Sequence, residues 1–130
     1  MAALSDHAEA LLLDWLMTTG TATRPTAWYV GLFTAAPSDS GGGTEVSGSG
    51  YSRQAATFAA ASSPGGTTSN TGDIAFTASG GNWGTITHIG IFDASSSGNL
   101  LWHGSMTASK VVNDGDTLQF STGNIDLTIA

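Results

Sequence analysis

The chain has 130 residues, only 10% of them charged, and its acidic residues outweigh three basic ones, Arg24, Arg53 and Lys110, to leave a net charge of −7. Three cations make neither a phosphate-tracking patch nor an anchor for anionic lipid, which excludes nucleic acid and membrane as direct partners. The absence of cysteine excludes a disulfide framework, a thiolate nucleophile and a thiolate zinc site.

This length suits one domain, and the low charge with 18 glycines and many Ser, Thr and Ala suits a β-rich body with neutral polar faces. Asp6, Glu9 and Asp14 interrupt the N-terminus, and no basic region precedes its apolar residues. It reads as no secretory leader, and the expectation is a soluble protein made inside a cell.

The first element is a helix. In LSDHAEALLLDWLM the positions Leu4, Ala8, Leu11, Leu12, Trp15 and Leu16 recur with the spacing of one helical face. Ser5 or Asp6 caps it, Asp6 and Glu9 imitate a capping box, and Gly20 is the expected left-handed terminator ahead of Pro25. The apolar stripe is too wide to leave in water, so the helix is expected to dock on the body or on a neighbouring subunit. Residues 1–20 form this N-terminal unit, and residues 27–130 form the body.

Everything after Ala27 reads as strands: AWYVGLFT (27–34), YSRQAATFA (51–59), DIAFTA (73–78), WGTITHIGIFD (83–93) and NLLWHGSMT (99–107), then SKVV, TLQF and IDLTI. NDGD at 113–116 is a turn. Seven or eight short strands with regular turn signals predict a mainly β protein. Its expected form is a single antiparallel β-sandwich, Ig-like or jelly-roll-like, preceded by one α-helix. PSDSGGGTEVSGSG (37–50) and ASSPGGTTSN (61–70) are low in complexity and are either contact surfaces or mobile loops.

HIGIFDASSSGNLLWHG, 88–104, has the look of a site. A zinc centre from His88, His103 and Asp93 needs three ligands converging at about 2.0–2.2 Å from the metal. Pairing Phe92 with Leu100 in the hairpin sets Gly90 against Trp102 and puts the two imidazoles on opposite faces, so the stretch reads as a hairpin with a loose Ser/Gly tip. No G-x-S-x-G elbow is present, and the paired acids Asp39/Glu45 and Asp114/Asp116 lie in turns where Asp serves the backbone. No catalytic, cofactor or metal residue is therefore assigned. The four tryptophans suit the core or a subunit interface, or alternatively a sugar-stacking platform. Arg53 is expected to pair with Glu45, next to Tyr51, and to pin the return of the acidic glycine loop into the sheet. Glu45, Tyr51, Arg53, Leu12 and Trp15 are thus the structural or interface candidates.

TAWYVGLFTAAPSDSGGGTEVSGSGYSRQAATF, then WGTITHIGIFDASSSGNLLWHG and GDTLQF, resemble a family of small tailed-bacteriophage virion proteins that carry a tail-fibre label. The resemblance runs from the helix to the last strand. It implies a non-enzymatic structural role in the virion, with assembly in the host cytoplasm and no catalytic residues. The expected placement is a capsid cement (decoration) subunit on the head surface, bound to the major capsid protein or another virion protein; the alternative is a tail-fibre or adhesin module that binds a host surface glycan. Exposed strand edges with so few lysines and arginines imply self-association, and a homotrimer suits three-fold positions on a shell.

Overall fold

The computed structural model describes residues 2–129; Met1 and Ala130, the latter the last position of the expected body, lie outside the described residues. The fold is mainly β and antiparallel, with a helix near its N-terminus. The chain opens on β1 (Ala2–Leu4), a short strand with no signal in the sequence pattern, and then enters α1 (Asp6–Met17). Ser5, nearly inaccessible to solvent, is the N-cap. Its N–H donates to Leu101 O at 2.9 Å, its Oγ donates to Leu100 O, and that same Oγ accepts from Ala8 N at 3.2 Å. One hydroxyl therefore caps the helix and ties it to the sheet. Asp6 is the first helical residue, so the imitation capping box with Glu9 has no role. The helix also ends earlier than expected, capped by Thr18 rather than Gly20: Thr18 turns extended, and its N–H and its hydroxyl (2.8 Å) both donate to Asp14 O.

The main sheet runs in the order β1, β8 (Leu100–Val112), β7 (Gly84–Phe92), β2 (Trp28–Ala35), β3 (Thr44–Glu45). β4 (Gln54–Ala56) shares the outer edge of β2 with β3. Two ribbons cover the other side of the core: β5 (Thr67–Ser69) with β10 (Asp126–Thr128), and β6 (Ile74–Thr77) with β9 (Thr117–Phe120). Val30, Leu32, Ile86, Ile91 and Val112 of the sheet pack on Ile74, Phe76, Leu118 and Leu127 of the ribbons in one cluster. Phe33, Phe92 and Leu100 form a smaller cluster of their own. The arrangement is sandwich-like, with a second layer built from two ribbons.

Both low-complexity stretches contain a strand, β3 in 37–50 and β5 in 61–70. The expected strand at 51–59 contracts to three residues. β8 is longer than expected because it carries two irregularities against β7. Phe92 pairs with Leu100, but Ile91 pairs with Trp102, leaving Leu101 as an extra residue. Further on, Ser105 pairs with His88 and Lys110 with Ile86, so residues 106–109 face Thr87 alone. The first of these bulges lets adjacent Leu100 and Leu101 both be buried, which strict alternation forbids.

Candidate functional site

The densest polar cluster forms where β3 and β4 leave a gap along β2. β4 pairs with residues 28–30 and β3 with residues 33 and 35, so Leu32 lies between the two ladders. Its carbonyl accepts from Val46 N at 3.0 Å, and its N–H donates to the Tyr51 hydroxyl at 2.9 Å. A phenol thus replaces a missing strand neighbour. The Tyr51 ring stacks on Phe76 and meets Trp83 edge-on, which anchors it in the core.

Tyr51 donates in turn to Glu45 Oε2 at 2.6 Å. Arg53 grips the same carboxylate in bidentate fashion, with Nε to Oε2 at 2.8 Å and Nη2 to Oε1 at 2.8 Å. Its Nη1 donates to Ala94 O at 3.0 Å and Ser97 O at 2.7 Å, and the guanidinium lies 3.5 Å above the Phe92 ring. The two ion-pair side chains are 10% and 23% exposed, deeper than the solvent-exposed pairs that contribute little. Gly31 makes room for this node: a Cβ there would lie 2.8 Å from Glu45 Oε2 and 3.2 Å from the Tyr51 hydroxyl.

Burial pushes the Glu45 carboxyl up, but the hydrogen bonds from Arg53 and Tyr51 and the Arg53 charge outweigh it and hold the group below its ordinary value. Burial first, and then the bond to Glu45, push the Tyr51 phenol well above its ordinary value. With four of its five donors committed, Arg53 has little left for a ligand. The node fastens; it has neither a nucleophile nor a free base.

What it fastens is the β7–β8 hairpin tip. Arg53 holds two of its carbonyls, and the Asp93 carboxylate accepts from Asn99 N at 2.7 Å and Asn99 Nδ2 at 3.0 Å. The tip expected to be loose is therefore pinned from beneath, with Ser95 to Ser97 facing solvent. Sequence reasoning missed this because backbone carbonyls acting as acceptors have no residue-type signature.

The extra residue Leu101 also corrects the expected register. His103 pairs with Gly90, the position expected of Trp102, and His88 pairs with Ser105. Both imidazoles consequently belong to one face of the hairpin, not to opposite faces. They serve separate partners. His88 Nδ1 lies 2.8 Å from the Thr87 hydroxyl, and His103 Nε2 lies 2.7 Å from Asp39 Oδ1. Among the described residues no group of three or more His, Asp or Glu converges on a point that would hold a metal. The NDGD segment is a turn, closed by Asp116 Oδ2 accepting from Asn113 N at 2.9 Å.

Of the tryptophans, Trp83 is in the core, while Trp28 and Trp102 are half-buried and flank an apolar groove of about 350 Å³ with Phe58, Leu127 and Ile129. Leu12 is half-buried beside the sheet, and Trp15 is 65% exposed. The structure thus joins Glu45, Tyr51 and Arg53 in one cluster and places Leu12 and Trp15 elsewhere, on the helix. A family model described as Podophage GP4 fiber I protein gp80 matches residues 3–128. No curated protein matches the chain.

Proposed function

Because the chain belongs to the family of Podophage GP4 fiber I protein gp80, which makes it a phage structural protein, we propose that it is a non-enzymatic part of the tail fibre. The observation that carries this reading is the family match across nearly the whole described chain. Its fibre description favours a tail placement over the head. The geometry supports a structural role. The most elaborate polar cluster spends its hydrogen bonds on fastening strands and a hairpin tip, and the exposed Ser95–Ser97 tip is a rigid surface for another virion protein or a host glycan.

A capsid cement role is the second reading, favoured by the acidic body that carries −7 and by a longest described helix of only 12 residues, which is no fibre shaft. Quantitative mass spectrometry of purified virions separates the two. A fibre component is present at tens of copies, and a cement subunit at a number near that of the major capsid protein. If the copy number approaches the capsid protein's and a high-salt wash both strips the protein and lowers the melting temperature of the heads, the fibre placement fails.

A further inference from the structure

Among the described residues, six large apolar side chains stand out in solvent, and four of them, Leu13, Trp15, Leu16 and Met17, belong to the last two turns of α1 at 61%, 65%, 60% and 76% exposure. Ala8, Leu11 and Leu12 follow the spacing of the face that meets the sheet. Leu13, Leu16 and Met17 share a second face by i, i+3 and i, i+4 spacing, so this half of the helix is apolar on nearly every side. A helix of that kind is at home only between two surfaces. Its own sheet supplies one.

The second surface lies alongside. An apolar groove of about 290 Å³ runs beside the helix, lined by Leu12, Trp15, Arg24, Trp102 and Ile129, and Ile129 is itself 48% exposed. Trp15, the remaining exposed helix residue, forms one wall of it. Two properties of this patch select its occupant. The first is charge. The chain carries −7, so most approaches between two copies are repulsive, yet residues 10–25 contain one acid, Asp14, and one base, Arg24. Neither forms an ion pair among the described residues. The patch is one of several low-charge stretches in which two acidic copies can meet at a small charge penalty, with Glu9 at its margin, and it is the one on which large exposed apolar side chains cluster. The second is area. The five exposed side chains leave roughly 600 Å² in solvent, a patch at the upper end for a monomer. Buried completely in both copies of a symmetric pair, it would reach at most ~1,200 Å², the lower bound of the range of ~1,200–2,000 Å² for stable interfaces.

We infer that the outer face of α1, with the Trp15–Trp102 groove beside it, is a self-association surface whose occupant is a second copy of this chain, helix against helix, in a closed dimer or trimer. The inference does not rest on the placement in head or tail, since either subunit can assemble this way.

Light scattering coupled to size-exclusion chromatography on the full chain tests it, with wild type, a Leu13→Glu/Leu16→Glu variant and a Val111→Glu variant. Val111 is exposed in a different element, on β8. The wild type and the Val111 variant are expected at two or three times the 13.1 kDa of one chain, and the helix variant at 13.1 kDa with an unchanged far-ultraviolet spectrum. Leu13 and Leu16 point away from the body, so their substitution leaves folding intact. A second variant, Met17→Glu, is expected to shift the equilibrium the same way. A monomeric wild type would overturn the inference and leave the patch to a different virion protein. Persistence of the oligomer in the helix variant would overturn it in favour of another face.

Discussion

Replacing Arg53 with methionine removes the guanidinium and keeps an apolar stem over Phe92. The Glu45 carboxylate is then left with Tyr51 as its only side-chain donor, and the carbonyls of Ala94 and Ser97 lose theirs. Exposed pairs contribute about 0–1 kcal/mol, whereas removing one partner of a buried pair costs about 3–5. At 10% and 23% side-chain exposure this pair stands between those limits, nearer the buried one because its geometry is bidentate. The expected loss is ~2–4 kcal/mol. For a chain of this size that lowers the melting temperature by roughly 6–15 °C. Urea unfolding of wild type, Arg53→Met, Glu45→Gln and the double variant closes a cycle whose coupling is expected to be about 1.5–3 kcal/mol. A coupling below ~0.5 kcal/mol would refute the reasoning and reduce the pair to a solvated contact.

The same node sets a pH dependence. Since the Glu45 carboxyl is held below its unfolded value of about 4.5, its stabilisation is present above that pH and lost as pH falls through the lower folded value. Acid unfolding monitored by tryptophan fluorescence should therefore flatten in Glu45→Gln. Tyr51 acts at the other end. Its phenol is raised when folded, so its contribution is intact below pH 10.0 and drains away as pH rises toward the folded value, a loss that Tyr51→Phe should abolish in alkaline titration. Ser5→Ala removes a cap and a tie to Leu100 together, and is expected to cost ~1–2 kcal/mol and to speed hydrogen exchange in α1 ahead of the sheet. Asn70, 2% exposed, donates to Gly72 O and Ser121 O and accepts from Ile125 N. Asn70→Leu should cost about 3–4 kcal/mol in denaturant unfolding, because it strands buried backbone groups in two loops at once.

How much of this was legible beforehand depends on the kind of interaction. The docking side of α1 was legible only in part: helical periodicity is local and gives Ala8, Leu11 and Leu12, but Trp15 and Leu16 of the expected stripe stand in solvent, and Leu4 belongs to β1. The Glu45–Arg53 partnership follows from scarcity: with three cations in the chain, a strand arginine beside an acidic loop has few alternatives. The role of Tyr51 was out of reach, since it depends on the gap that β3 and β4 leave along β2, and that gap depends on tertiary pairing. The placement of His88 and His103 failed for a related reason. A single extra residue, Leu101, inverts the face of residues 102–105, and alternation in the sequence reads the same with or without it. The short strands β3 and β5 were hidden because Thr, Ser and Gly carry the same composition in a loop as in an edge.

The bulge at 106–109, three residues more than the single Thr87 it faces, sits on an edge of the sheet that bears on aggregation. Past Gly104, where β1 stops, the outer border of β8 has no strand beside it among the described residues. A flat border of that length would invite the same border of another molecule, and such growth has no natural end. The bulge buckles this stretch out of plane, and Lys110, one of the three cations, stands at its far side. Excising 106–108, which leaves Ser109 opposite Thr87, is expected to straighten the border and favour open-ended growth. Thioflavin-positive fibrils are the expected readout, and a variant that stays free of them would show that the irregularity is not what keeps this edge from pairing.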